Sequence, residues 1–212
     1  MSTRFAVLLS GSGTNLAALI EAAQAPGSQA EIAVVLSNKV DAFGLQRARD
    51  ADIPAVHISH QGKDRETFDA ELVQVLRSHE IDWVLLAGFM RILTPVFLDA
   101  FEQRIINIHP ALLPSFPGVN GQQQAFDSGV RIAGATVHFV EAGMDSGPVI
   151  AQGAVPVLED DDIESLQKRI LAVEHQLFPM VMRWAAEGRL SIKDGRACVK
   201  LHADEQRYLW SG

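Results

Sequence analysis

The chain of 212 residues has one cysteine, Cys198, one tyrosine and three tryptophans. A single thiol excludes an intrachain disulfide and a cysteine-built zinc cluster. So few aromatics leave little for stacking on bases. The balance of 18 Lys and Arg against 26 Asp and Glu gives a net charge of −8, where a nucleic-acid surface calls for a basic patch. No apolar run reaches the length of a membrane span. The opening MSTRFAVLLSGSG carries one arginine and an apolar run at residues 5–9 only, too short for a signal-peptide core and better read as a first strand. These absences point to a cytoplasmic protein with small-molecule substrates and neither nucleic-acid nor membrane partners. They leave monomer and homodimer open.

What is present centres on residues 84–118, VLLAGFMRILTPVFLDAFEQRIINIHPALLPSFPG. Residues 84–87 form a short apolar run stopped by Gly88, and residues 104–108 form a second. The second run carries Asn107 and His109 at its carboxyl end. Residues two apart in an extended segment share a face, so the Asn107 carboxamide and the His109 imidazole can converge on one spot. Pro110, Pro114 and Pro117 stiffen the loop beyond, and the Leu113–Pro114 peptide is expected to be cis. Open α/β sheets place their ligands at such strand ends.

Earlier in the chain, the strand at residues 5–9 leads into Ser10-Gly11-Ser12-Gly13-Thr14-Asn15 and then a helical pattern at Leu16, Leu19 and Ile20. A strand, a glycine turn and a helix N-terminus can cradle an anion on unpaired N–H groups. The dinucleotide fingerprint wants a third glycine where Leu16 stands, and an acid after the second strand where Ser37-Asn38-Lys39 stand. The triphosphate loop wants a lysine that is missing. Two readings stand level: a phosphate monoester site, or an unoccupied turn capped by Thr14 or Asn15.

The remaining elements alternate. Strands are expected at 32–36, 55–58, 132–140 and 149–157, and helices at 43–51, 67–76 and 121–128. A long helix capped by the acids 160–162 should kink or break at Pro179. A hairpin over 190–201 turns at Asp194-Gly195. His57, His60 and His79 sit in no ligand spacing and read as structural or exposed, and Arg65 reads as a solvated residue near a helix start. Asp145 lies between glycines in Glu141-Ala142-Gly143-Met144-Asp145-Ser146-Gly147, a loop that lets backbone approach a ligand. By itself an aspartate there is more often a turn former. The pattern predicts an α/β fold with a mostly parallel, Rossmann-like twisted sheet of about seven strands and helices on both faces. Residues 1–212 are expected to form a single domain, with the helix and hairpin from about 160 packed on it.

SGSGTNL, SNKVDAFGLQRA, LAGFMRIL, NIHPALLPSFPG and VHFVEAGMDSGPVI together resemble the phosphoribosylglycinamide formyltransferases, from about Phe5 to Leu190. Those folate-dependent enzymes formylate glycinamide ribonucleotide in purine synthesis. The resemblance implies a catalytic trio of Asn107, His109 and Asp145, and a nucleotide-phosphate cradle of Gly13, Thr14 and Asn15. It implies folate contacts from Met90, Arg91, Ile92, Leu93, Asn107, Glu141, Ala142, Gly143, Met144 and Asp145, with Arg65 bordering the folate. Glu174 matches a position that meets the glycinamide end of the nucleotide. The co-substrate implied is 10-formyltetrahydrofolate as formyl donor, with no metal. One departure stands out: after Pro117-Gly118 the family's Thr-His step is replaced by Val119-Asn120-Gly121-Gln122-Gln123-Gln124.

Two sister families share the Asn, His and Asp site. Methionyl-tRNA formyltransferases carry a further RNA-binding domain, for which this chain is too short and too acidic. Formyltetrahydrofolate deformylases carry an N-terminal regulatory domain, whereas the first strand here starts at Phe5, and they depart from HPALLPSFPG after the histidine. A folate- or nucleotide-binding regulatory module without turnover would not need the intact trio. A nicotinamide-dependent oxidoreductase is disfavoured by Leu16 and by the missing acid.

Overall fold

Alternation along the first strand sets the two faces of the molecule. Phe5, Val7 and Leu9 enter one apolar cluster, while Ala6 and Leu8 enter another on the opposite side. The computed structural model describes residues 2–211. In chain order the elements are β1 (Thr3–Leu9), α1 (Thr14–Gln24), β2 (Ala30–Ser37), α2 (Phe43–Asp50), β3 (Ala55–His57), α3 (Arg65–Ser78), β4 (Trp83–Leu86) and α4 (Pro95–Ala100). There follow β5 (Ile105–His109), α5 (Gly121–Asp127), β6 (Ile132–Phe139), β7 (Val149–Pro156), α6 (Ile163–Ala186), the hairpin β8 (Leu190–Lys193) and β9 (Arg196–Val199), and β10 (Tyr208–Trp210).

Eight strands make one sheet in the order β10-β7-β6-β5-β4-β1-β2-β3. Strands β3, β2, β1, β4 and β5 run parallel, β6 and β7 are antiparallel additions, and β10 is parallel to β7. Helices α1, α2, α5 and α6 contribute to one apolar cluster, α3 and α4 to the other. The expected mostly parallel sheet with helices on both faces is therefore present, with one strand more than the pattern suggested. That strand is β10, whose three residues are too few for any periodicity to register. The connection reverses between β1 and β4, so loops leave the carboxyl edge in opposite directions there and open a crevice. Among the described residues no helix is long and apolar enough to cross a membrane.

Three local expectations can be compared directly. The Leu113–Pro114 peptide is cis, and the hairpin turns at Asp194 and Gly195, both at positive φ. The break at Pro179 does not occur: α6 runs through it for 24 residues. A proline inside a helix costs about 3 kcal/mol. The turn beyond it buries Val181, Met182 and Trp184 completely or nearly so, and each such side chain returns about 1.5–3 kcal/mol. Burial of the last turn outweighs the missing hydrogen bond.

The tail is clamped by charge. Arg189, buried, pairs with Glu187 at 2.7 Å and with Glu205, which also accepts from Arg183 at 2.7 Å and from the His202 N–H at 2.9 Å. The clamp directs Arg207 onto the carbonyls of Ile150 and Val149, at 2.8 and 2.9 Å, and β10 then pairs with β7. Hydrogen bonding from Arg189 holds the Glu205 carboxyl down at about 2. A depressed acid lends stability above its ordinary value, which is lost as pH falls through the folded value. Glu205→Gln should therefore destabilise the protein by about 3 kcal/mol near neutral pH. Urea denaturation should show the gap from wild type intact above about pH 4.5 and shrinking toward pH 2; a gap independent of pH would contradict the clamp.

Candidate active site

The carboxyl ends of β1, β4 and β5 open into a cavity of about 660 Å³. Its first wall is the turn after β1. Gly13 adopts the left-handed conformation, φ 70°, and no side chain caps α1, so the N–H groups of the helix's first turn lack an intrahelical partner. Ser10 ties this turn to its neighbours. Its hydroxyl donates to Asn38 Oδ1 at 2.7 Å and accepts from the Met90 N–H at 3.0 Å, while its own N–H donates to the Gly88 carbonyl.

The second wall, residues 88–93, follows β4. Phe89 and Leu93 are buried beneath it, and Met90 and Ile92 are exposed at the mouth. Arg91 lies over the Phe68 ring at 4.8 Å. Buried Asp69 closes this segment by accepting from the Thr94 N–H at 2.6 Å and the Thr94 hydroxyl at 2.8 Å.

Strand β5 delivers Asn107 and His109, and antiparallel β6 sets His138 directly opposite Asn107. Asp145, at φ 51°, arrives from the loop before β7. Its Oδ2 accepts from the Gly118 N–H at 2.7 Å and faces His109 Nδ1 at 3.4 Å. Its Oδ1 lies 3.5 Å from Asn107 Nδ2 and 3.8 Å from His138 Nε2. His109 Nε2 meets the Phe116 carbonyl at 2.8 Å. A carbonyl only accepts, so Nε2 carries hydrogen, and both ring nitrogens of His109 face oxygen; a doubly protonated ring satisfies both contacts.

His138 differs. Its Nδ1 meets the Phe139 carbonyl at 2.8 Å, so Nδ1 carries the hydrogen and Nε2 accepts from Asn107 Nδ2 at 3.1 Å. Burial lowers its pKa and favours this neutral form. One N–H of the Asn107 carboxamide is thereby held, and the other is left with the long contact to Asp145.

Also lining the cavity, Glu174, from α6, accepts from Asn15 Nδ2 at 2.7 Å. Burial raises its carboxyl to about 7, with the Asn15 bond opposing. The Asn15 Oδ1 is buried without a partner among the described residues. Both residues line the cavity.

The structure thus gathers Gly13, Thr14, Asn15, Met90, Arg91, Ile92, Leu93, Asn107, His109, Glu141, Gly143, Met144, Asp145 and Glu174 around one cavity. Ala142 is exposed on the same loop but does not line it, and Arg65 stands at the start of α3, also outside the lining. In the stretch that departs from the family's pattern, Val119, Asn120 and Gln122 line the cavity. Sequence reasoning missed His138, which it read only as part of the strand expected at 132–140. The only signal available was its position opposite Asn107 once β6 is paired in register. Ser10 and Asp69 were missed for the same reason, since their partners are 28, 80 and 25 residues away.

A sheet of this order, with a polar cluster and an uncapped helix N-terminus around one cavity at its switch point, defines an open α/β protein with its ligand site at the carboxyl ends of the strands. The chain belongs to the formyl transferase family, whose model matches residues 3–182. It is similar to the phosphoribosylglycinamide formyltransferase of Haemophilus influenzae, 43% identical over 92% of both chains. It is 47% identical to the trifunctional purine biosynthetic protein adenosine-3 of Drosophila melanogaster over 87% of this chain, and spans 14% of that protein's length. The crystal structure of glycinamide ribonucleotide transformylase 1 from Symbiobacterium toebii superposes with a TM-score of 0.91 at 48% identity, covering 93% of this chain and 94% of that one.

The raised Glu174 carboxyl has a measurable consequence. The folded protein holds that proton up to about pH 7, whereas the unfolded chain releases it near 4.5. Between those values the wild type should lose stability as pH rises, by on the order of 3 kcal/mol. Glu174→Gln should lack this slope in denaturation curves taken from pH 4 to 8; parallel curves for the two proteins would contradict the assignment.

Proposed function

We propose that the chain transfers the formyl group of 10-formyltetrahydrofolate to the amine of glycinamide ribonucleotide, yielding formylglycinamide ribonucleotide and tetrahydrofolate in purine biosynthesis. The observation that carries this reading is the meeting of Asn107, His109 and Asp145 in the same cavity as an uncapped helix N-terminus. The first can handle a tetrahedral oxyanion, and the second can hold a phosphate. The chain is read as one catalytic domain working in the cytoplasm.

The substrate amine is itself the nucleophile. Its lone pair attacks the formyl carbon, a C–N bond forms, and charge moves onto the formyl oxygen. Asn107 Nδ2–H is the direct donor for that oxyanion, and a protonated His109, its ring N–H groups facing Asp145 and the Phe116 carbonyl, sets a positive charge beside it. Such a donor contributes on the order of 10²–10³ in rate. Collapse breaks the carbon–N10 bond, and N10 must leave protonated. Asp145 takes the proton from the attacking amine and returns it to N10, directly or through a water, so the net proton count is unchanged. His138, neutral, keeps the Asn107 carboxamide turned to its task.

The folate occupies the side of the cavity formed by Met90–Leu93 and the loop carrying Glu141, Gly143 and Met144. The nucleotide phosphate sits on Gly13, Thr14 and Asn15, and Glu174 with Asn15 accepts from the donor-bearing part of that substrate. A hydrolase with the same trio would instead have to activate water, and would have no use for the anion cradle and the buried acid.

The purified protein should form formylglycinamide ribonucleotide from the two substrates. Formate release as fast without any amine present would overturn the transferase reading. Asp145→Asn should keep the folate dissociation constant within a few-fold while turnover falls by about 10²-fold or more. Glycinamide riboside, which lacks the phosphate, should bind much more weakly than the ribonucleotide in a competition assay.

A further inference from the structure

The motif SNKVDAFGLQRA contributes α2, which lies outside the chemistry described so far. Two carbonyls of the anion loop are taken by this helix. The Gly44 N–H donates to the Gly11 carbonyl at 3.1 Å, and Arg47 Nε–H donates to the Ser12 carbonyl at 2.9 Å. In a trans peptide the N–H points opposite to the C=O. Drawing the Gly11 and Ser12 carbonyls toward α2 therefore turns the N–H groups of Ser12 and Gly13 the other way, toward the cavity that Gly11 to Asn15 line.

The approach is close. A Cβ on Gly13 would lie 2.6 Å from Gly44 Cα, with Arg47 Cδ 3.5 Å away. The Arg47 guanidinium also stacks over the Phe43 ring at 4.9 Å. Two contacts thus fix this side chain, and it joins none of the ion pairs among the described residues. The loop itself, Ser10 to Asn15, carries no cation, in a chain of net charge −8. A phosphate monoester brings up to two negative charges to that loop.

We propose that Arg47 is the positioning cation of the phosphate subsite: its bond to the Ser12 carbonyl orients and polarises the Ser12–Gly13 peptide toward the phosphate, and its unpaired charge backs the loop. This rests on the formyltransferase reading for the identity of the phosphate carrier. Arginine suits the task better than lysine, because a planar guanidinium can stack on a ring while one fixed N–H is aimed at a carbonyl.

The test compares wild type, Arg47→Ala and Arg47→Lys on glycinamide ribonucleotide and on glycinamide riboside, with inorganic phosphate as competing anion. For Arg47→Ala the KM for the ribonucleotide should rise about tenfold, with kcat changed much less and the folate dissociation constant unaffected. The inhibition constant of inorganic phosphate should rise by a similar factor. The preference for ribonucleotide over riboside, as a ratio of kcat/KM, should fall about tenfold. Arg47→Lys should recover only part of each effect, and if Arg47→Ala does not fold, Arg47→Lys against wild type makes the same comparison.

A merely structural arginine would depress both substrates equally, leaving that ratio intact, and this result or no change at all overturns the proposal. If the wild type formylates neither amine, the function reading fails. Calorimetric titration of inorganic phosphate into wild type and variant then decides Arg47 separately: equal affinities reject it, and a tenfold weaker variant supports it.

Discussion

The Asp145 carboxylate binds together segments that the chain keeps far apart. The Gly118 N–H donates to one oxygen at 2.7 Å, His109 faces that same oxygen, and Asn107, itself bonded to His138, approaches the other. These groups come from the loop after β5, from β5 itself and from β6, and Asp145 comes from the loop before β7. None of the four segments is held in its active shape by local sequence alone. The proline loop bends back so that the Phe116 carbonyl receives His109, and the next amide it offers, that of Gly118, fastens Asp145. Remove the carboxylate and the loop loses its tie to the histidine it also supports. Buried polar networks of this kind are rigid when complete and unstable when broken.

Glu174 is buried under opposite terms. Asp145 is surrounded by donors, whereas Glu174 has one, the Asn15 amide, and desolvation dominates its titration. Its neighbour Asn15 Oδ1 has none among the described residues. A protein folding for stability alone would satisfy or replace such groups, since each unsatisfied buried polar atom costs about 1–3 kcal/mol. Asn15 and Glu174 both line the cavity, where α1 packs on α6. Polar groups left short of partners beside a cavity are a form of preorganisation.

How much of this could be read in the chain depends on sequence distance. The period-2 spacing of Asn107 and His109 places both on Asp145, because strand geometry is local. The glycine turn after β1 and the helix start beyond it were legible through the glycines and the helical pattern, and the Asp194-Gly195 hairpin through turn chemistry. Pro179 misled because its local penalty is real, while the burial of Val181, Met182 and Trp184 that overrides it is tertiary. His138 and β10 were invisible for a related reason. A register between strands, or the docking of three residues through Glu205 and Arg207, leaves no periodic trace.

Loop carbonyls and loop amides are sorted in the same way at both ends of the cavity. After β1, the Gly11 and Ser12 carbonyls are taken by α2, and the amides of the turn and first helical residues lie beside the cavity. After β5, the Phe116 carbonyl is taken by His109, and the Pro117 and Val119 carbonyls by Gln124 at 3.3 and 2.8 Å, leaving the Gly118 amide for Asp145. In each loop the negative ends of the peptide dipoles point into scaffold donors and positive ends point at the site. A cavity built this way acquires positive potential from oriented backbone. In a chain of net charge −8 with no lysine between Ser10 and Asn15, oriented backbone is the source of positive charge that these loops supply. It also makes α2 and Gln124, which touch neither reacting atom, as necessary to the field inside the cavity as the residues that line it.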